Sequence, residues 1–80
     1  MKTYVVTGAS CRMEREDMNS WCNYYGRSKK EAEKIFNEEV QAALNLGWTV
    51  VKTIERDWLV QYTFIAPNRG AYANLALRSY

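Results

Sequence analysis

The pattern of apolar and polar residues predicts one helix in the middle of the chain. Between Ser28 and Gly47, apolar side chains recur at helical spacing, at Ala32, Ile35, Phe36, Val40, Ala43 and Leu46. Ser28 and Glu31 have the spacing of a capping box, in which the serine hydroxyl accepts a hydrogen bond from a backbone amide and the glutamate reaches back. Gly47 follows the run, at the position where a left-handed residue commonly ends a helix. The sequence therefore predicts a helix over about Ser28–Leu46.

Stretches rich in β-branched and aromatic residues predict strands on both sides of this helix. Lys2–Ala9 indicates a first strand and Trp21–Tyr25 an optional second one, with a polar loop over residues 10–19. Trp48–Glu55 and Trp58–Ala66 are separated by only two polar residues, which predicts an antiparallel hairpin. We expect the helix to pack on the last of these strands, with Phe36, Ile35 and Val40 against Trp58, Val60, Tyr62 and Phe64.

The C-terminal segment Ala71–Tyr80 fits two kinds of structure. Its alanines and leucines favour a helix, whereas its apolar residues alternate as in a strand. We favour a short helix. The predicted fold class is then α+β, with a small antiparallel sheet of three or four strands in the order β-(β)-α-β-β and one main helix on one face. Residues 1–80 contain no linker or repeat, so a single domain is predicted.

Composition bears mainly on the chemistry that this chain lacks. It contains no histidine, which removes the commonest metal ligand and the commonest general base at neutral pH. Cys11 and Cys22 lack the Cys-x-x-Cys spacing of a zinc site. We therefore expect no metal, no cofactor and no enzymatic activity. No apolar run is long enough for a membrane span or signal peptide, so we expect a cytoplasmic protein with reduced thiols. A hairpin of the first two strands could nevertheless place Cys11 and Cys22 opposite each other.

Glu39 is an unusual residue of the predicted helix, because it projects into the apolar stripe. A carboxylate on a core face needs a partner. Glu39 could lie at an uncovered edge of the stripe, pair with Lys52 or a tyrosine hydroxyl, or have a functional role. We treat it as a candidate buried carboxylate.

Two short fragments resemble the short-chain dehydrogenase/reductase family. Thr7-Gly8-Ala9-Ser10 resembles its cofactor turn, and Tyr25 and Lys29 have the spacing of its Tyr-x-x-x-Lys pair. The family's turn must continue into Gly-x-Gly, so that the backbone can approach a pyrophosphate. Here the turn continues into Cys11-Arg12-Met13-Glu14, and 80 residues cannot supply the several βαβ units of that fold. We therefore reject an enzyme of this family.

The aromatic content is the main indication of function. Three Trp, six Tyr and two Phe exceed what a one-helix core readily buries, so some Tyr or Trp side chains should be exposed, as is typical of protein interfaces. We expect a small binding domain that contacts another protein, as an inhibitor or adaptor such as a phage or mobile-element protein that targets a host complex. A weak module for single-stranded nucleic acid is the alternative, since cations lie beside aromatic residues near the helix start. The candidate interaction residues are Arg12, Arg15, Trp21, Tyr24, Tyr25, Arg27, Lys29, Lys30 and Arg56.

Overall fold

The structure is a computed structural model that describes residues 2–14 and 17–80. Within those residues the chain forms five strands and one helix. In chain order they are β1 (Tyr4–Arg12), β2 (Asp17–Gly26), α1 (Lys29–Asn45), β3 (Thr49–Arg56), β4 (Leu59–Ile65) and β5 (Ala71–Ser79).

The five strands form one antiparallel sheet in the order β2-β1-β5-β4-β3. The β1–β2 hairpin lies at one edge and the β3–β4 hairpin at the other, while β5 joins them in the middle. The helix connects the two edge strands and its backbone runs closest to β5, β1 and β2. One face of the sheet is therefore covered by α1, and no described element covers the other.

The predicted fold class was wrong in strand number, element order and C-terminal segment. Three or four strands in the order β-(β)-α-β-β were expected, whereas the order is β-β-α-β-β-β with five strands. The segment predicted as a short helix is β5, the central strand. It pairs with β1 along one side and with β4 along the other, and these two ladders outweigh the helix propensity of its alanines and leucines. The sheet is thus held together through β5, and not mainly through the helix.

Ser28 and Gly47 cap α1 as the sequence predicts, but only half of the predicted capping box forms, because the Ser28 amide donates to the Tyr24 hydroxyl and not to Glu31. The Ser28 hydroxyl accepts a hydrogen bond from the Glu31 backbone amide at 3.1 Å. At the other end Gly47 has a φ of 89°, in the left-handed region that favours glycine. Its amide donates to the Leu44 carbonyl at 3.0 Å.

The core lies between α1 and the covered face of the sheet. Five residues form its buried centre: Val6, Ala32, Phe36, Phe64 and Leu75. The Phe36 and Tyr62 rings have centroids 5.6 Å apart, and Tyr62 meets Phe64 edge to face at 6.4 Å. Ile35, Val40 and Val60 pack around this centre as predicted. Trp58 does not, because β4 begins one residue later and the Trp58 side chain is 56% exposed.

Several aromatic side chains are exposed, as the composition predicts. Among the described residues, Tyr25 is 75% exposed and Tyr80 70%, and Trp21, Trp58 and Tyr72 are also exposed. Within the same residues, no helix combines the length and the apolar character needed to cross a membrane.

Candidate functional site

A pocket of about 330 Å³ lies between the C-terminal half of α1 and the sheet. Its walls come from the helix, from β1, β2, β4 and β5, and from the segment after the helix. It is mostly apolar, and its lining residues are Ser10, Arg12, Trp21, Glu39, Ala42, Ala43, Leu46, Trp48, Phe64, Ala71, Ala73 and Leu75. We call this cavity the Trp21–Trp48 pocket.

Small side chains on facing walls leave this pocket open. Ala42 and Ala43 face it from the helix, and Ala71 and Ala73 face it from β5. Four methyl groups cannot fill the gap that four larger side chains would close. The helix–sheet interface is therefore tightly packed around Phe36 and open towards the end of the helix.

Gly8 positions the Trp21 ring over the sheet. The two residues are opposite each other on β1 and β2, and a Cβ at Gly8 would overlap the Trp21 ring. The absence of a side chain at Gly8 lets the indole lie across β1, where it forms one wall of the pocket. Trp21 remains 38% exposed, so its ring is also accessible from outside.

Two opposite charges line the Trp21–Trp48 pocket. Arg12 is exposed at the end of β1, and Glu39 is partly buried on α1. No charged side chain among the described residues is fully buried. The partial burial of Glu39 agrees with the interpretation that it lies at the edge of the apolar stripe. Pairing with Lys52 does not occur, because the register places Lys52 on the opposite face of the sheet.

The uncovered face of the sheet carries a second, shallower depression of about 560 Å³. We call this surface the open face. Most side chains that line the depression are small or neutral and polar, and Arg78 also lines it. Its lining residues are Thr7, Gly8, Ala9, Ser20, Trp21, Cys22, Gln61, Asn74, Ala76 and Arg78. Beside it on the same face, the Thr63 hydroxyl donates to the side-chain oxygen of the lining residue Asn74 at 2.6 Å.

The open face is cationic among the residues that the structure describes. Strand register places twenty side chains on it, including those of Lys52, Arg56 and Arg78, and no Asp or Glu. Arg56 differs from the other two, because it lies at the strand end, donates to the Glu55 carbonyl at 3.2 Å and lines a depression that Glu33 and Asp57 also line. The cations of the open face without neighbouring carboxylates on that face are therefore Lys52 and Arg78. The helix side is different, since α1 alone carries four glutamates and three lysines. Charge is thus distributed unequally between the two sides of the molecule.

Both cysteines also lie on the open face and are unbridged. Cys11 pairs with Met18 and Cys22 with Thr7, so they are not opposite each other. Thr7 and Cys11 are four residues apart on β1, about 13 Å, whereas bridged cysteines need Cα atoms within about 7 Å. The alternative that the hairpin aligns the two thiols is therefore wrong.

Cys11 instead interacts with Tyr72 on the neighbouring strand. These two residues are opposite each other in the β1–β5 ladder. A hydrogen bond with the Cys11 side chain, and then the charge of its thiolate, raise the pKa of the Tyr72 phenol above its ordinary value.

The structure disperses the remaining candidate residues. Tyr24 is partly buried against the core, and its hydroxyl accepts a hydrogen bond from the Ser28 amide at 3.2 Å. Tyr25 projects from the open face. Lys29 and Arg56 line a third depression of about 280 Å³, which Glu33 and Asp57 also line. Arg27 and Lys30 are exposed beside the helix start, and Arg15 lies outside the described residues.

The cations at the helix start thus share their surroundings with carboxylates, which weakens the case for nucleic acid there. Of the predicted residues that the structure describes, only Arg12, Trp21 and Glu39 come together in the Trp21–Trp48 pocket. Sequence reasoning missed its other tryptophan, Trp48, because that residue was assigned to a strand. It also missed Tyr72 and Arg78, because the segment that holds them was assigned to a helix. The alternation in residues 71–79 was the available signal.

Within the described residues, no three Cys, Asp or Glu side chains converge as a metal site would require. No protein-family model matches the chain, and no curated protein or solved structure is significantly similar to it.

Proposed function

We propose that this protein is a non-enzymatic binding domain that holds an apolar side chain of another protein in the Trp21–Trp48 pocket. The observation that carries this proposal is an open, largely apolar cavity of about 330 Å³ with an accessible tryptophan in its wall. Its volume lies near the lower limit of ligand pockets, which suits one large side chain.

The surroundings of the pocket also favour a protein partner. Leu46 forms part of the lining and is 72% exposed, so apolar surface continues outside the cavity. Interfaces concentrate their binding energy in a few aromatic and apolar anchors that fill pockets, with polar residues around them. Here Arg12 and Glu39 can supply such polar contacts, because both line the cavity. A domain that binds in this way acts as an inhibitor or an adaptor.

A pocket-filling substitution tests the proposal. Ala73→Leu adds a larger side chain in the space that the anchor would occupy. Full burial of a Leu or Phe anchor contributes about 2–3 kcal/mol. Loss of that contribution weakens binding by roughly 30- to 140-fold, at 1.4 kcal/mol per factor of ten.

The experiment selects short random displayed peptides on the wild-type protein and measures their affinity for the variants. We expect enrichment of peptides with one aromatic or large aliphatic anchor, and much weaker binding to Ala73→Leu. The matched control is Ala9→Leu, the same substitution on the opposite face of the sheet. Peptides that bind Ala73→Leu as tightly as the wild type, or that lose affinity equally for both variants, would contradict the proposal.

A further inference from the structure

We propose that the open face binds single-stranded nucleic acid without sequence specificity, independently of the Trp21–Trp48 pocket. The surface combines two exposed tyrosines with cations and has no carboxylate among the described residues that register places on it.

Charge determines which kinds of partner suit this surface. Lys52 is exposed on the edge strand β3, and Arg78 lies on the central strand β5. Because no described carboxylate offsets them, a second copy of the same face would be repelled. An anionic partner is attracted, and phosphate groups bind Lys and Arg in this way without reading sequence.

The positions of the tyrosines favour nucleic acid over an acidic protein. Tyr25 is opposite Val5, and Tyr72 is opposite Cys11, six residues further along β1. The two tyrosines also lie on strands that are separated by β1, so the distance along the strands and the distance across them together place the two positions about 22 Å apart. Protein hot spots cluster near the centre of an interface. Single-strand sites instead place aromatic side chains at intervals along a cationic groove.

The centre of the open face can contact the part of the nucleic-acid strand that lies between two stacked bases. Thr7, Ser20, Gln61 and Asn74 line its depression with neutral hydrogen-bonding groups. Arg78 also lines the depression. It lies in the same cross-strand row as Tyr25, because both residues are aligned with Val5 on β1. The whole face accommodates about four nucleotides, the lower end of the site sizes of small single-strand-binding domains.

Fluorescence anisotropy of a labelled oligothymidylate tests this inference on the full chain. At low salt we expect saturable binding, weakened about fivefold or more in Tyr25→Ala, the lower end of the loss per stacked base. Tyr25→Phe keeps the ring and should bind like the wild type. If Lys52 and Arg78 each contact one phosphate, the logarithm of the association constant should fall with the logarithm of the salt concentration at a slope of about −1.4.

A pair of charge variants separates contact at the open face from general attraction. Lys52→Gln and Lys34→Gln each remove one positive charge from an exposed lysine, on the open face and on α1 respectively. We expect only Lys52→Gln to weaken oligothymidylate binding, and Ala73→Leu to leave it unchanged. Circular dichroism checks the fold of each variant, and Tyr25 is 75% exposed, so its replacement leaves the core intact.

Three results would overturn the inference. The first is no anisotropy change at low salt with about 100 µM protein, the weak limit of non-specific binding. The second is an equal loss in Lys34→Gln and Lys52→Gln. The third is displacement of the oligonucleotide by polyglutamate together with unchanged binding in Tyr25→Ala, which would identify an acidic protein as the partner.

Discussion

Replacing Phe36 tests the core most directly, because this side chain joins α1 to the sheet. Phe36 is 4% exposed, and its ring meets that of Tyr62 at 5.6 Å. The surrounding Val6 and Phe64 are held by strand ladders on both sides, so they cannot move into the space that a smaller residue leaves. We therefore expect Phe36→Ala to cost about 3–5 kcal/mol of unfolding free energy.

The consequence can be read from urea denaturation. A domain of 80 residues has a total stability of about 4–12 kcal/mol. With a slope near 1 kcal/mol per molar urea, Phe36→Ala should lower the midpoint by about 3–5 M, or unfold the protein outright. Phe36→Leu keeps most of the volume and should cost under about 1.5 kcal/mol, so its midpoint remains measurable if the alanine variant does not fold.

Asn37→Ala supplies the control, since Asn37 is the exposed neighbour on the same helix. Its effect should stay within about 0.5 kcal/mol, as is usual for surface substitutions. If the urea midpoint of Phe36→Ala equalled that of Asn37→Ala, the helix would not be packed on the sheet through this ring.

Two further predictions concern the thiols and the tyrosine beside one of them. Intact mass spectrometry of protein purified without reductant should show Cys11 and Cys22 as free thiols, because the register keeps their Cα atoms more than about 13 Å apart. A monomer lighter by two hydrogens would contradict the register. NMR titration with ring-labelled tyrosine should show that Cys11→Ala lowers the pKa of Tyr72 towards its ordinary value, because both the hydrogen bond and the thiolate charge are removed. An unchanged Tyr72 titration would mean that the two side chains do not interact.

Local signals in the sequence determined the central helix. Ser28 satisfies an amide of the first turn, Gly47 takes the left-handed conformation after the helix, and the apolar spacing places Phe36 towards the core. Each of these preferences acts within a few residues, so it can be predicted from the amino-acid sequence alone. The excess of aromatic residues likewise predicted exposed tyrosine and tryptophan before any fold was known.

Only the tertiary structure decided the conformation of residues 71–79 and the surfaces that depend on it. Isolated, this segment satisfies helix and strand patterns alike, and β1 and β4 settle the choice by pairing with it on both sides. Arg78 and Tyr72 reach the open face, and Ala71 and Ala73 line the pocket, because β5 lies at the centre of the sheet. Strand pairing joins residues far apart in the chain, and a pocket depends on which side chains face each other across it. Neither relation is encoded in local spacing.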